Sequence, residues 1–213
     1  MTTPANIKKD LLASLVLVLD QPLKGVGFVR KESLLAYVRT LEEAEQKIVF
    51  AVDYLPQCQP GAEAHIHPFL QISMPEVNRV ALDLVEGDNM LLAGAPDIIL
   101  NQPIDLVAPK DGRQRWFATG QTEFVTACES IRHFLWRWVL PFLAEISTPQ
   151  ELVKMSADND ERVMKQKHWY IFVVAAYQVM GQMDSAREVA KQYLGSPGLR
   201  KRYAPLFKSL GIE

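Results

Sequence analysis

The chain has 213 residues, 48% of them hydrophobic and 23% charged, with a formal net charge of -2. That length and composition bury a substantial core without staples, in one large domain or one domain with an appendage. The near-neutral balance supplies none of the pull toward a polyanion on which nucleic-acid binders rely, and two cysteines imply no disulfide framework.

Two lysines precede an apolar run in MTTPANIKKDLLASLVLVLD, as in a signal peptide. Asp10 lies just before that run, however, and Asp20-Gln21-Pro22 follows it with no small-residue cleavage site. The run is also short of the ~20 apolar residues of a membrane span. Leu11, Leu12, Leu15, Val18 and Leu19 share one helical face over residues 7–20, and Pro22 stops the helix. The expectation is the first helix of a soluble, cytoplasmic protein with both cysteines reduced.

Gly25 and Gly27 punctuate a turn before Phe28-Val29-Arg30-Lys31. Residues 34–41 (LLAYVRTL) and 47–54 (KIVFAVDY) read as an antiparallel hairpin across the charged loop 42–46. The prolines of LPQCQPG make 55–61 a loop, and a third strand covers 64–74, with Pro68 marking an edge or a bulge. Pro75 opens a short helix on which Val77, Val80, Ala81 and Leu84 share a face. Residues 97–108 read as one or two strands interrupted by Pro103, and 113–119 carry the last strand, around Trp116-Phe117.

The longest apolar-periodic segment is 122–146, with Phe124, Cys128, Ile131, Leu135, Trp138, Phe142 and Ile146 at helical spacing. Pro141 clashes with the carbonyl of Arg137 at ~3 kcal/mol in an unkinked helix, which predicts a kink near Trp138. Trp136 lies about 100° off the stripe and is expected in a second layer covered by the C-terminal helices. Thr148 or Ser147 caps a further helix opened by Pro149. The polar run 156–162 (SADNDER) is the linker to an apolar helix at 168–180, a turn at Gly181, a helix at 185–194 and a final short helix through Leu210. Tyr177, Gly181 and Ala186 stand at the spacing of one tetratricopeptide unit, and a single copy is expected to pack as an ordinary helical hairpin. The fold expected is α+β, with an antiparallel sheet of about five strands packed against the N-terminal and central helices. Residues 1–155 form that domain and 156–213 a C-terminal helical subdomain.

His65 and His67 are the sharpest chemical feature, because strand alternation puts both imidazoles on one face, as in a two-histidine metal site. A third ligand must come from His133, His168 or a distant carboxylate; otherwise the pair is a solvent-facing strand edge. A nucleophile elbow, a Walker loop, a dinucleotide fingerprint and an HExxH helix are absent from the sequence. Cys128 falls on the apolar stripe as an inert thiol, and Cys58 lacks a histidine partner in sequence. The short basic clusters, Arg30-Lys31, Arg113 with Arg115, and Arg200-Lys201-Arg202, are too small for a nucleic-acid face. The acidic residues Glu42, Glu43 and Glu45, with Asp158, Asp160 and Glu161, attract a basic protein partner if their loops lie together. No cofactor is expected.

The run Leu23-Lys24-Gly25-Val26-Gly27-Phe28-Val29-Arg30-Lys31, with Tyr37-Val38-Arg39, Ile48-Val49-Phe50, Phe69-Leu70-Gln71-Ile72, Arg115-Trp116-Phe117 and Leu140-Pro141-Phe142-Leu143, resembles a group of bacterial domains of unknown function. In that group a glycine-phenylalanine-basic turn feeds an antiparallel sheet and a late helix ends in a leucine-proline-phenylalanine run. The resemblance covers about residues 7–155 and brings no catalytic residues. Some members are suspected of neutralising toxins, which implies a non-enzymatic cytoplasmic protein that binds another protein, one form being a bacterial immunity protein. The rival readings are a metal-dependent hydrolase built on His65 and His67, and a small-ligand-binding module.

Overall fold

The computed structural model describes residues 3–31 and 34–212. The chain is α+β, and its sheet has six strands where about five were expected. They are β1 (Val29–Lys31), β2 (Ala36–Thr40), β3 (Glu45–Tyr54), β4 (Ala64–Ser73), β5 (Leu100–Pro103) and β6 (Trp116–Ala118), in the order β1-β2-β3-β4-β5, with β6 also paired to β4. The additional strand is β1, which pairs antiparallel with β2 from Val29↔Val38 to Lys31↔Ala36. Three residues carry too little alternation to announce a strand. Pro68 stands inside the sheet's interior strand rather than at an edge. The β6 register ends at Ile66↔Trp116, so the missing N–H takes nothing from that ladder.

The chain divides into two compact units, each built from three stretches: residues 1–40, 46–71 and 102–144 in the first, and 41–45, 72–101 and 145–213 in the second. The units therefore do not part near residue 155. The expected linker 156–162 lies wholly inside the second unit.

In the first unit, α1 (Pro4–Gly25) begins with Pro4 behind Thr3, whose hydroxyl accepts the Asn6 N–H at 3.3 Å. The helix buries Ile7, Leu11, Leu15, Val18, Leu19 and Leu23. It runs through Pro22 instead of stopping there, because so close to the C-terminus the ring removes one bond and leaves little helix beyond it to disrupt. Gly27 ends it at φ +89°, with the N–H groups of Val26 and Phe28 both on the Leu23 carbonyl. Against α1 packs α3 (Gln121–Phe134), which continues through a π turn (Leu135–Val139) into α4 (Leu140–Ala144).

The irregularity expected at Pro141 takes the form of that π turn, closed by the Leu140 N–H on the Leu135 carbonyl. One extra residue per turn rotates the buried stripe. Val139 is buried and Trp138 is only half-buried, contrary to the α-helical spacing. Trp136 is 39% exposed and is not covered as a second layer, since the widened turn leaves it pointing away from the core. On the sheet side, Gln46, Ile48 and Phe50 of β3 alternate inward with Ala64, Ile66 and Leu70 of β4. Buried Gln46 accepts from Arg39 at 2.6 Å and donates to the Leu143 carbonyl at 2.7 Å, one of the orphan acceptors at the end of α4.

The second unit holds α2 (Pro75–Leu84), α5 (Pro149–Ala157), α6 (Trp169–Val179), α7 (Met183–Leu194), α8 (Pro197–Arg202) and α9 (Ala204–Ser209). Every residue of α6 from Trp169 to Ala176 is buried, and α2, α5 and α7 pack around it. An all-apolar helix is stable only in such a position. The α6–α7 hairpin turns at Gly181, φ +72°, with Ala186 fully buried beyond it. Thr148 caps α5 in a capping box with Glu151. The run 156–162 is ordered by Asp160, whose carboxylate accepts the Arg162 backbone N–H at 2.8 Å and its guanidinium at 2.7 Å. Two short helices, α8 and α9, stand where one was expected. No described helix is long and apolar enough to cross a membrane.

Candidate metal centre

Alternation along β4 sends Ala64, Ile66 and Leu70 into the core and turns His65 and His67 to the opposite face of the sheet. On β3 the same alternation sends Asp53, which is exposed, to the face opposite Ile48 and Phe50. The β3–β4 connection closes with the Leu55 N–H on the Glu63 carbonyl at 2.9 Å, a register that sets Asp53 beside the two histidines. One ligand atom from each of Asp53, His65 and His67 lies within 4.8 Å of the others. The candidate for a third ligand is thus a carboxylate distant in sequence. Its signal was the pairing of KIVFAVDY with the following strand, which no local motif announces.

The three side chains differ in environment. His65 is 7% exposed, stacked on Phe117 of β6 at 4.3 Å between ring centroids and against His67 at 3.6 Å. Burial lowers its pKa below the usual histidine range, and the neighbouring His67 and Arg115 act in the same direction while Asp53 opposes them. A neutral imidazole keeps a lone pair for a cation. His67 Nε2 lies 2.6 Å from Asp53 Oδ2. A carboxylate only accepts, so Nε2 carries the proton there. Metal–ligand lengths near 2.0–2.2 Å place tetrahedral ligand atoms ~3.3 Å apart, so a shared ion would need Asp53 and His67 to stand farther apart than their present 2.6 Å. The Asp53 side chain is 68% exposed and has room to move.

The trio opens into a cleft of about 420 Å³ also lined by Cys58, Pro68, Asp105, Gln114 and Arg115. Two of its lining residues, Trp116 and Gln114, are joined by a relay: Trp116 Nε1–H donates to Ser130 Oγ at 3.1 Å, and the Ser130 hydroxyl donates to Gln114 Oε1 at 3.2 Å. The Thr119 hydroxyl donates to the Gly61 carbonyl at 3.0 Å and ties the end of β6 to the loop that carries Cys58. Two imidazoles and one carboxylate on an open cleft match the three-ligand pattern of a catalytic zinc-type site, where a further position stays free.

The other residues singled out in sequence lie elsewhere. His133, exposed on α3, lines a separate cleft with Ser130, Arg137 and Trp138. His168, just before α6, lines a small pocket with Trp169, and burial lowers its pKa. Neither joins the trio. Cys128 is fully buried, and burial pushes its thiol up to about 12. Among the acidic residues, Asp158 pairs with Lys154 at 2.7 Å and Asp160 with Arg162, whereas Glu42, Glu43 and Glu161 are exposed. Both acidic segments belong to the second unit. In comparisons with protein-family models, curated proteins and solved structures, nothing matches this chain.

Proposed function

We propose that this protein binds a divalent transition-metal ion through Asp53, His65 and His67 and that the site serves metal-dependent hydrolysis. The observation that carries the reading is the convergence of three ligand atoms within 4.8 Å at the mouth of a cleft. Such an ion supplies Lewis acidity and activates water. His65, neutral and stacked on Phe117, would hold the ion with His67 through their imidazoles, and exposed Asp53 would supply the carboxylate. The Cys58 and Cys128 thiols are free, which favours a reducing compartment such as the cytoplasm.

The protein-binding reading, with toxin neutralisation as its specific form, draws on the acidic loops. Ion pairs within the chain already engage Asp158 and Asp160, so the geometry favours the metal site. Equilibration with Zn²⁺ followed by dialysis and metal analysis is expected to leave about one ion per chain. His65→Ala and Asp53→Ala are each expected to weaken retention by ~10-fold or more with an unchanged circular dichroism spectrum. A wild-type protein that retains no stoichiometric metal ends this reading.

A further inference from the structure

We infer that the cleft takes a substrate bearing an oxyanion, phosphoryl or carboxylate, held between the metal ion and a receptor made by Arg115 and Gln114. The inference rests on the metal reading of Asp53, His65 and His67.

Arg115 lines the same cleft and stands near enough to His65 to perturb it. No hydrogen-bond or ion-pair partner engages its guanidinium among the described residues. Gln114 is oriented by the relay from Trp116. An indole N–H only donates, so Ser130 Oγ accepts it and keeps its own hydrogen for Gln114 Oε1. That fixes the amide with its oxygen on Ser130 and leaves the two N–H donors of Nε2 to spare, at a residue that lines this cleft as well as the one beside His133. Arg115 and Gln114 both line the cleft, where the guanidinium fork is the main donor to a planar or tetrahedral oxyanion and the amide a secondary one.

Charge makes the receptor conditional. Without an ion, Asp53 and Asp105 outweigh Arg115 in the cleft and repel an anion. A divalent ion reverses that balance. Oxyanion binding is therefore expected only in the metal-loaded protein.

The test uses the full chain loaded with Co²⁺, whose visible absorption reports on its ligands, titrated with inorganic phosphate and separately with acetate. Saturable changes are expected in the wild type and none in the metal-free protein followed by calorimetry. Arg115→Ala is expected to weaken oxyanion binding by about 10- to 100-fold while Co²⁺ affinity holds, and Arg115→Lys to recover part of the loss. Gln114→Leu is expected to weaken it less. Tighter binding of phosphate assigns the phosphoryl class, and tighter binding of acetate assigns the carboxylate class. If Co²⁺ binds but neither anion does, or Arg115→Ala binds them as the wild type does, the receptor is overturned while the metal site stands. If Co²⁺ itself does not bind, the metal reading falls and this inference with it.

Discussion

Asp20 shows what single residues contribute to this fold. Its carboxylate accepts the Tyr37 hydroxyl at 2.6 Å and both of its oxygens face Arg30 Nε at 3.1 Å, while the Tyr37 hydroxyl also lies 3.1 Å from the Leu15 carbonyl. Burial, and then the hydrogen bond to Asp20, raise the Tyr37 pKa far above its ordinary value, so the group remains a donor wherever the protein is folded. Tyr37→Phe removes that donor and leaves a part-buried carboxylate short of one bond. The expected loss is about 1–2 kcal/mol in urea unfolding, with metal retention unchanged. A variant as stable as the wild type would mean that Arg30 alone satisfies Asp20. At this scale the histidines were legible because alternation needs no partner strand. Asp53 was not, since its place depends on the β3–β4 register, and the same holds for the Trp116–Ser130–Gln114 relay, which joins a strand to a helix.

Elements were legible where a residue type forces the backbone. Pro75 and Pro149 open helices as expected, and Thr148 forms its cap with Glu151, whose carboxylate accepts the backbone N–H groups of Ser147 at 2.7 Å and Thr148 at 3.0 Å. Burial raises the Glu151 pKa, but these bonds from Ser147 and Thr148 outweigh it and hold the group below its ordinary 4.5. A depressed folded pKa means a contribution fully present above pH 4.5 and lost as pH falls through the folded value. Glu151→Gln is therefore expected to cost about 1 kcal/mol near pH 7 in thermal unfolding, with the gap to wild type closing in that acid range. A gap that stays constant down to pH 2 would assign the cost to packing instead. Pro141 signalled an irregularity, yet its form as a π turn is set by which register buries Val139, a tertiary choice. Pro22 and Pro68 misled because what a proline breaks depends on where it stands in its element: Pro22 is three residues from the end of α1, and Pro68 lies past the end of the β6 ladder.

At the scale of the whole molecule, residues 156–162 looked like a linker because they are polar, but polarity does not reveal Asp160 and Arg162 tied together. The interleaved path has a direct consequence for fragments. A chain ending at residue 155 keeps α2 and loses α6, the helix against which α2 packs, so Val77, Ala81 and Leu84 have nothing to cover them. Such a fragment is expected to aggregate or unfold without a cooperative transition in calorimetry, and limited proteolysis of the full chain is expected not to release a stable 1–155 product. A soluble, cooperatively melting fragment would restore the two-part division expected from sequence. The same path also matters during translation. At ~5–20 residues per second, the ribosome makes Leu84 several seconds before Trp169. Through that interval the nascent chain carries the sticky face of α2 with its cover still unmade, so slower elongation between them lengthens the window in which a chaperone or a neighbouring nascent chain can reach it.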